Sequence, residues 1–244
     1  MNSAKTSVLV FSFLFGGALL GEFAGPFLSA EQLKGVQIGV GLLTTMFGLL
    51  LSLQLAAGKT YFDNQEQDVT LLASRTVLLD SVLTSYGPEA REARELLRGK
   101  VTDLLRQVWP EEESADSTWT TKYGIGVYDK IQELAPKDED QRSKRTLALG
   151  MTVDLEQTRW ISASRIRSST AVPLMVVETV WATIIFICFG LLAPPGVTGT
   201  LSLALFASAV SSGFFLIEEM NRPFSGLLKV SSAPIREVLK HLAQ

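Results

Sequence analysis

VQIGVGLLTTMFGLLLSLQLAA, running from Val36 to Ala57, decides how the rest of the chain is read. The stretch carries no charge, and as a helix rising about 1.5 Å per residue it is long enough to cross a hydrocarbon core of about 30 Å. It runs directly into Lys59 and a long polar region. A chain built around such a segment is an integral membrane protein, and the other segments take their places relative to it.

Composition agrees. Of the 244 residues, 47% are hydrophobic and only 19% are charged, and the apolar residues are bunched rather than dispersed. A net charge of −3 with no basic stripe excludes a nucleic-acid partner. The single cysteine, Cys188, lies inside an apolar run, which removes a disulfide framework and a cysteine-based zinc site. The single histidine, His241, removes multi-histidine metal sites and makes histidine-centred catalysis untenable.

Towards the N-terminus, Lys5 precedes an apolar run over Val8 to Gly21, giving a first span over about residues 7–24. A basic start, a short apolar core and small residues also describe a cleavable signal peptide, which is the alternative for residues 1–25. We read a retained span. Gly25-Pro26 then breaks the helix, and Ser29-Ala30-Glu31 suits the start of the next.

Towards the C-terminus, residues 58–171 hold sixteen of the 22 basic and nineteen of the 25 acidic residues, so this portion must face water. Its apolar residues recur at helical steps: Val69, Leu72, Thr76, Leu79 and Leu83, then Ala90, Ala93, Leu97, Val101, Leu104 and Val108. Gly87-Pro88 separates these helices and Trp109-Pro110 ends the second. Polar connections are expected over Glu111 to Tyr123 and over Ala135 to Asp138. A further helix follows through Leu147, Met151, Leu155, Thr158 and Ile161 to about Arg167. If the second span continues as helix from Val36 to Tyr86, it reaches about 75 Å.

Two more apolar spans, 172–192 and 200–217, flank the helix-breaking turn Ala193-Pro-Pro-Gly-Val-Thr-Gly199, and 218–244 form a tail. The expected architecture is all-α, with a transmembrane hairpin over 1–57, a helical water-facing portion over 58–171 and a second hairpin over 172–217. With four spans, both termini and the helical portion share a side. That side holds every Lys and Arg except Lys34, which makes it cytoplasmic by the positive-inside rule.

Nothing here provides for catalysis. There is no H-E-x-x-H, no Gly-rich loop closing on a lysine and no G-x-S-x-G, and no cofactor or metal is implied. The acidic runs Glu111-Glu112-Glu113 and Asp138-Glu139-Asp140 lack the alternating ligand spacing of a calcium loop and read as solvated loops.

A conduit has more to build on. Gln37, Gly41, Thr44 or Thr45, Gly48, Ser52 and Leu55 fall on one face of the second span at steps of three and four. Small residues so spaced let helices approach closely in lipid, the commoner use. Alternatively the hydroxyls meet water along a pore and Leu51 and Leu55 constrict it. Glu178 is the only ionisable residue inside the third span. A carboxylate there is a functional candidate or an interfacial partner of Arg165 or Arg167. Glu219 and Arg222, three apart, are expected to meet where the fourth span leaves the membrane.

That exit carries a resemblance. Glu219-Met-Asn-Arg222-Pro223-Phe224-Ser225-Gly226, continuing through Ser231-Ser232-Ala-Pro234, resembles the signature of the bestrophin-like membrane family of bacteria and plants. Gly48-Leu-Leu-Leu-Ser-Leu, Trp109-Pro110 and Leu147-Ala-Leu-Gly-Met-Thr-Val-Asp-Leu-Glu before Arg159-Trp160 look like the family pattern too, so the likeness spans roughly residues 35–240. It implies a relation to bestrophins, which are pentameric anion channels whose second span lines the pore. The implied protein is a homo-oligomeric channel of an inner membrane passing an anion; the alternative is a non-conducting scaffold or sensor whose helices bind a partner. Two features depart from the animal pattern: nothing after Glu219 resembles a calcium clasp, and Phe47 is the only aromatic residue of the second span.

Overall fold

The computed structural model describes residues 3–109, 125–167, 171–194 and 196–243. They form eight α-helices: α1 (Ser3–Ala24), α2 (Ala30–Tyr86), α3 (Arg91–Val108), α4 (Ile125–Gln132), α5 (Glu139–Arg167), α6 (Ala171–Leu192), α7 (Val197–Met220) and α8 (Ala233–His241). No strand occurs among the described residues. Four of the helices, α1, α2, α6 and α7, are long and apolar enough to cross a membrane. The Glu111 to Tyr123 connection, its acidic run, Pro110 and Pro195 lie outside the described residues.

By packing, the chain divides into a unit from Met1–Phe62 with Ser169–Leu228 and a unit from Asp63–Ser168 with Lys229–Gln244. Helix α2 runs unbroken through both for 57 residues.

In the first unit, α1 packs on α6 and α7. Val10, Leu14 and Ala18 of α1 join Met175, Ala182, Ile185 and Phe186 of α6 and Leu203, Ala207 and Phe214 of α7 in one core, and α2 adds Val40 and Phe47. The α1–α6 contact is made backbone to backbone. A Cβ on Gly21 would overlap the Ile187 carbonyl, one on Gly190 would overlap the Ala18 carbonyl, and one on Gly17 would sit 3.1 Å from Thr183 Cγ2. Contacts between residues 17 and 183–187 and between 21 and 187–191 advance together along both helices, so α1 and α6 run parallel.

In the second unit, the expected faces of α2 and α3 are the buried ones. Val69, Leu72, Thr76, Leu79 and Leu83 turn inward, as do Ala93, Leu97, Val101, Leu104 and Val108. Asp80 is buried and held by Arg94, Nε to Oδ1 at 2.6 Å and Nη2 to Oδ2 at 3.0 Å. That pair raises the Arg94 pKa further, chiefly through the hydrogen bond. Gly87, at φ 124°, makes the turn before Pro88, a conformation that a side chain would strain.

Helix α5 differs from the expected pattern. Leu147 and Ile161 are exposed, and the buried face runs through Ala148, Thr152, Leu155, Thr158, Arg159 and Ser162. The reason is polar anchoring. Ser162 donates to Asp68 at 2.8 Å, and Arg75 donates to the Asp154 carbonyl at 2.7 Å and to Thr158 Oγ1. These bonds turn the helix so that the hydroxyls of Thr152, Thr158 and Ser162 face the core beside Leu155, leaving Leu147 and Ile161 outside it. In the tail, Ile235 and Val238 of α8 are buried, and α8 packs on α3.

Candidate functional site

Within the first unit, α2 presents three faces along its apolar half. Val40 and Phe47 are buried, with Leu51 and Gln54 half-buried on the same side. Leu51 turns towards Gly213 of α7. A second face is large and aliphatic, with Ile38, Leu42, Leu49 and Leu53 all exposed. Between them lies the stripe of small and polar residues: Gln37, Gly41, Thr45, Gly48 and Ser52 are exposed, and Thr44 and Leu55 are half-buried at its edge.

The stripe is therefore not where this subunit packs on itself. No atom lies within 4 Å of the Cβ position at Gly41 or Gly48. Thr45 gives its hydroxyl proton to the Gly41 carbonyl at 3.0 Å and Ser52 to that of Gly48 at 2.7 Å, so their oxygens carry lone pairs outward. Thr44 does the same with Val40 at 2.7 Å. Leu51, read from the sequence as a candidate constriction, is half-buried against the subunit's own core, and Phe47, the one aromatic residue of the span, is buried in that core.

Glu178 is 3% exposed, about two turns into α6. Gln54 of α2 approaches it. Neither Gln54 Nε2 nor Glu178 Oε2 completes a hydrogen bond of normal geometry among the described residues. The side chains of Arg165 and Arg167, its expected partners, lie outside the described residues. Gln54 was not anticipated as a site residue. Its signal was present, since it is the only amide in the second half of an otherwise apolar span.

At the α7 exit the expected Glu219–Arg222 pair does not form. Arg222 Nη2 reaches Glu218 Oε1 at 2.6 Å instead, one helical turn back. Glu219, 1% exposed, turns the other way into the unit. Its Oε1 accepts from Ser3 Oγ of α1, and its Oε2 accepts from the backbone N–H of Leu227 at 2.6 Å and of Leu228 at 3.3 Å. This arrangement accounts for the motif. Pro223 is buried where the helix ends, Ser225 N–H closes a turn on the Arg222 carbonyl at 3.1 Å, and Gly226 at φ 122° swings the chain back over the carboxylate. A Cβ at Gly226 would run into the Glu219 carboxylate, and Phe224 is half-buried beside this turn. In the second unit, Ser231 Oγ accepts from Ala233 N–H at 3.1 Å, Ser232 stands just before α8 without a side-chain hydrogen bond to its first turn, and Pro234 stands in that turn. Gly226 and Glu219 thus act together, the one making the turn that the other holds closed.

Among the described residues no cluster of three His, Cys, Asp or Glu side chains could hold a metal ion. The arrangement supplies a buried carboxylate latch, a buried carboxyl group on α6 facing Gln54 and an uncovered polar stripe.

The sequence matches the family described as Bestrophin-like domain over residues 9–235. Its fold is similar to two crystal structures. One is a membrane protein carrying a proline-to-alanine substitution, at TM-score 0.70 and 12% identity over 97% of each chain. The other is a single-substitution variant of a bacterial bestrophin homologue from Klebsiella pneumoniae, at TM-score 0.68 and 14% identity over 96% of this chain and 97% of that one. At such identities the likeness establishes the fold. A search of curated proteins gives no match.

Proposed function

We propose, from the premise that the chain belongs to the bestrophin-like family, that it is an ion-channel-like membrane protein. In this reading it assembles with copies of itself, as a pentamer, in a bacterial inner membrane with both termini cytoplasmic, and α2 lines the central axis. The observation that carries the reading is the uncovered stripe of α2. Gln37, Gly41, Thr45, Gly48 and Ser52 are left outside the subunit's core while the bulky Val40 and Phe47 fill it. Polar groups in hydrocarbon are disfavoured, so such a stripe calls for water or for neighbouring chains.

In a ring of α2 helices the stripe would face the axis and the Leu42, Leu49 and Leu53 face would meet a neighbour. The proposed permeant ion is an anion, by the resemblance. The stripe itself has no formal charge, and its hydroxyl oxygens turn lone pairs outward, so anion passage would require Thr45 and Ser52 to swing their hydroxyl protons towards the ion.

Planar-bilayer recording of the purified oligomer tests this. The expected result is a current, cut at least severalfold by Thr45→Leu and by Ser52→Leu, with a reversal potential in a salt gradient that reports the sign of the ion. Absent currents, or currents indifferent to both substitutions, would remove the pore assignment. The second reading, a non-conducting scaffold, is supported by exposed Leu147, Val153 and Trp160 on α5. It would be favoured by a silent bilayer with an intact oligomer.

A further inference from the structure

Apart from conduction, we propose that the groove between α1 and α6 binds one acyl chain of an anionic membrane phospholipid, with the lipid phosphate held by Arg222. The groove has a volume of about 680 Å3. Its walls are Leu9 and Phe13 of α1 and Val176 and Val180 of α6, all exposed in the subunit. Both helices are long and apolar enough to cross a membrane, so the surroundings of the groove are hydrocarbon.

Its polarity is graded, and that grading selects an amphiphile. Because α1 and α6 run parallel, the groove starts at Thr6 and Met175 and ends at Phe13 and Ile184, with Glu218 and Arg222 at the Thr6 end. The hydroxyls of Thr179 and Thr183 are used within α6, on the Met175 and Thr179 carbonyls at 2.7 Å each, which leaves the body of the groove apolar. The Thr6 hydroxyl, at the polar end, is buried without a hydrogen-bond partner among the described residues. The walls extend over eight to ten residues, about 10–15 Å at 1.5 Å per residue, which is the depth of one leaflet of a core about 30 Å thick.

Charge sets the headgroup. Glu218 engages Arg222 through Nη2, and the guanidinium has other N–H donors in a fork that suits phosphate. Lys5, exposed one residue from Thr6, adds a second positive charge at this end against the single negative charge of Glu218. A zwitterionic headgroup would bring its own cation to that cluster, whereas an anionic one brings only the phosphate.

Photo-crosslinking of the full chain in nanodiscs tests the assignment without any need for conductance, using a diazirine-bearing acyl chain on phosphatidylglycerol or on phosphatidylcholine. Label is expected on α1 residues 6–13 and α6 residues 175–184, with phosphatidylglycerol preferred about tenfold, the worth of one charge-assisted contact. Arg222→Gln should abolish the preference while leaving phosphatidylcholine labelling in place, and Arg222→Lys should retain part of it. Val180→Trp, which fills the groove from an exposed wall, should lower labelling by both lipids. The proposal is overturned if the groove is labelled no more than Leu49 and Leu53 of α2, if Arg222→Gln leaves the preference intact, or if Val180→Trp leaves labelling unchanged in a protein of native oligomer size. It is equally overturned if the α1 and α6 peptides are protected and crosslink to a second copy of the chain instead.

Discussion

Helices α1 and α2 both carry small residues at helical spacing within an apolar run, and they use them in opposite ways. Gly17, Ala18 and Gly21 of α1 lie against α6 so closely that backbone touches backbone at Gly21 and Gly190. Gly41 and Gly48 of α2 have nothing within 4 Å of their Cβ positions. Close packing in lipid relies on small residues because lipid tails offer no competing hydrophobic gain, and α1 meets that description. In α2 the bulky residues Val40 and Phe47 do the packing, and its small residues Gly41 and Gly48 stay outside the subunit's core. Composition alone does not tell a packing glycine from an exposed one; the atoms opposite it do.

The largest expected effect comes from breaking the α1 side. Gly21→Val or Gly190→Val drives a side chain into a facing carbonyl and should cost at least about 3 kcal/mol, or prevent folding altogether, read as thermal unfolding in detergent by circular dichroism. Next is the latch that ties the start of α1 to the end of α7. Glu219→Ala strands the Leu227 and Leu228 N–H groups, and Gly226→Ala forces a strained φ against the carboxylate, each at about 2–4 kcal/mol by the same measurement. On the α2 side the same class of change should do the reverse. Gly48→Leu meets open space and replaces a poor helix former, so subunit stability should hold or rise by up to about 1 kcal/mol while bilayer current falls. A loss of stability comparable to that of Gly21→Val would erase the distinction between the two helices.

The smallest effect belongs to the second unit and serves as a control. Burial raises the pKa of Glu156, and Arg159 and Lys100 offset this only in part. A carboxyl group with a raised folded pKa favours the folded state most when protonated. Its contribution is therefore full below the ordinary carboxylate range and is lost as pH rises through the folded value. Acidification from neutrality should raise this contribution slightly, and Glu156→Gln should flatten that part of the stability profile. The slope should be the same in Gly48→Leu.

Much of the fold was legible in the chain. Apolar runs with at most one charged residue each, long enough to span a bilayer, announce four membrane helices, and the apolar steps of α3 name its buried face residue by residue. The α5 face was only partly legible: Leu155 and Thr158 are buried, but Leu147 and Ile161 are not, because its position is decided by Ser162 on Asp68 and Arg75 on Thr158, bonds between residues about ninety apart in sequence that no local period contains. The exit motif was legible as a signature but not as a mechanism. Spacing by three places Glu219 and Arg222 on neighbouring positions of a helix, yet the backbone N–H groups delivered by the Gly226 turn draw Glu219 inward and leave Arg222 to Glu218.

The sequence by itself determined the all-helical membrane class, the four candidate spans and the family, because hydrophobic length and charge placement are properties of the chain that no partner can alter. Only the tertiary structure decided which small residues pack and which stay bare, that Phe47 and Leu51 belong to the subunit's own core, and that Glu219 is a latch. Each of these depends on what stands opposite a side chain, and that is set by the rotation of one helix against another rather than by the period along either.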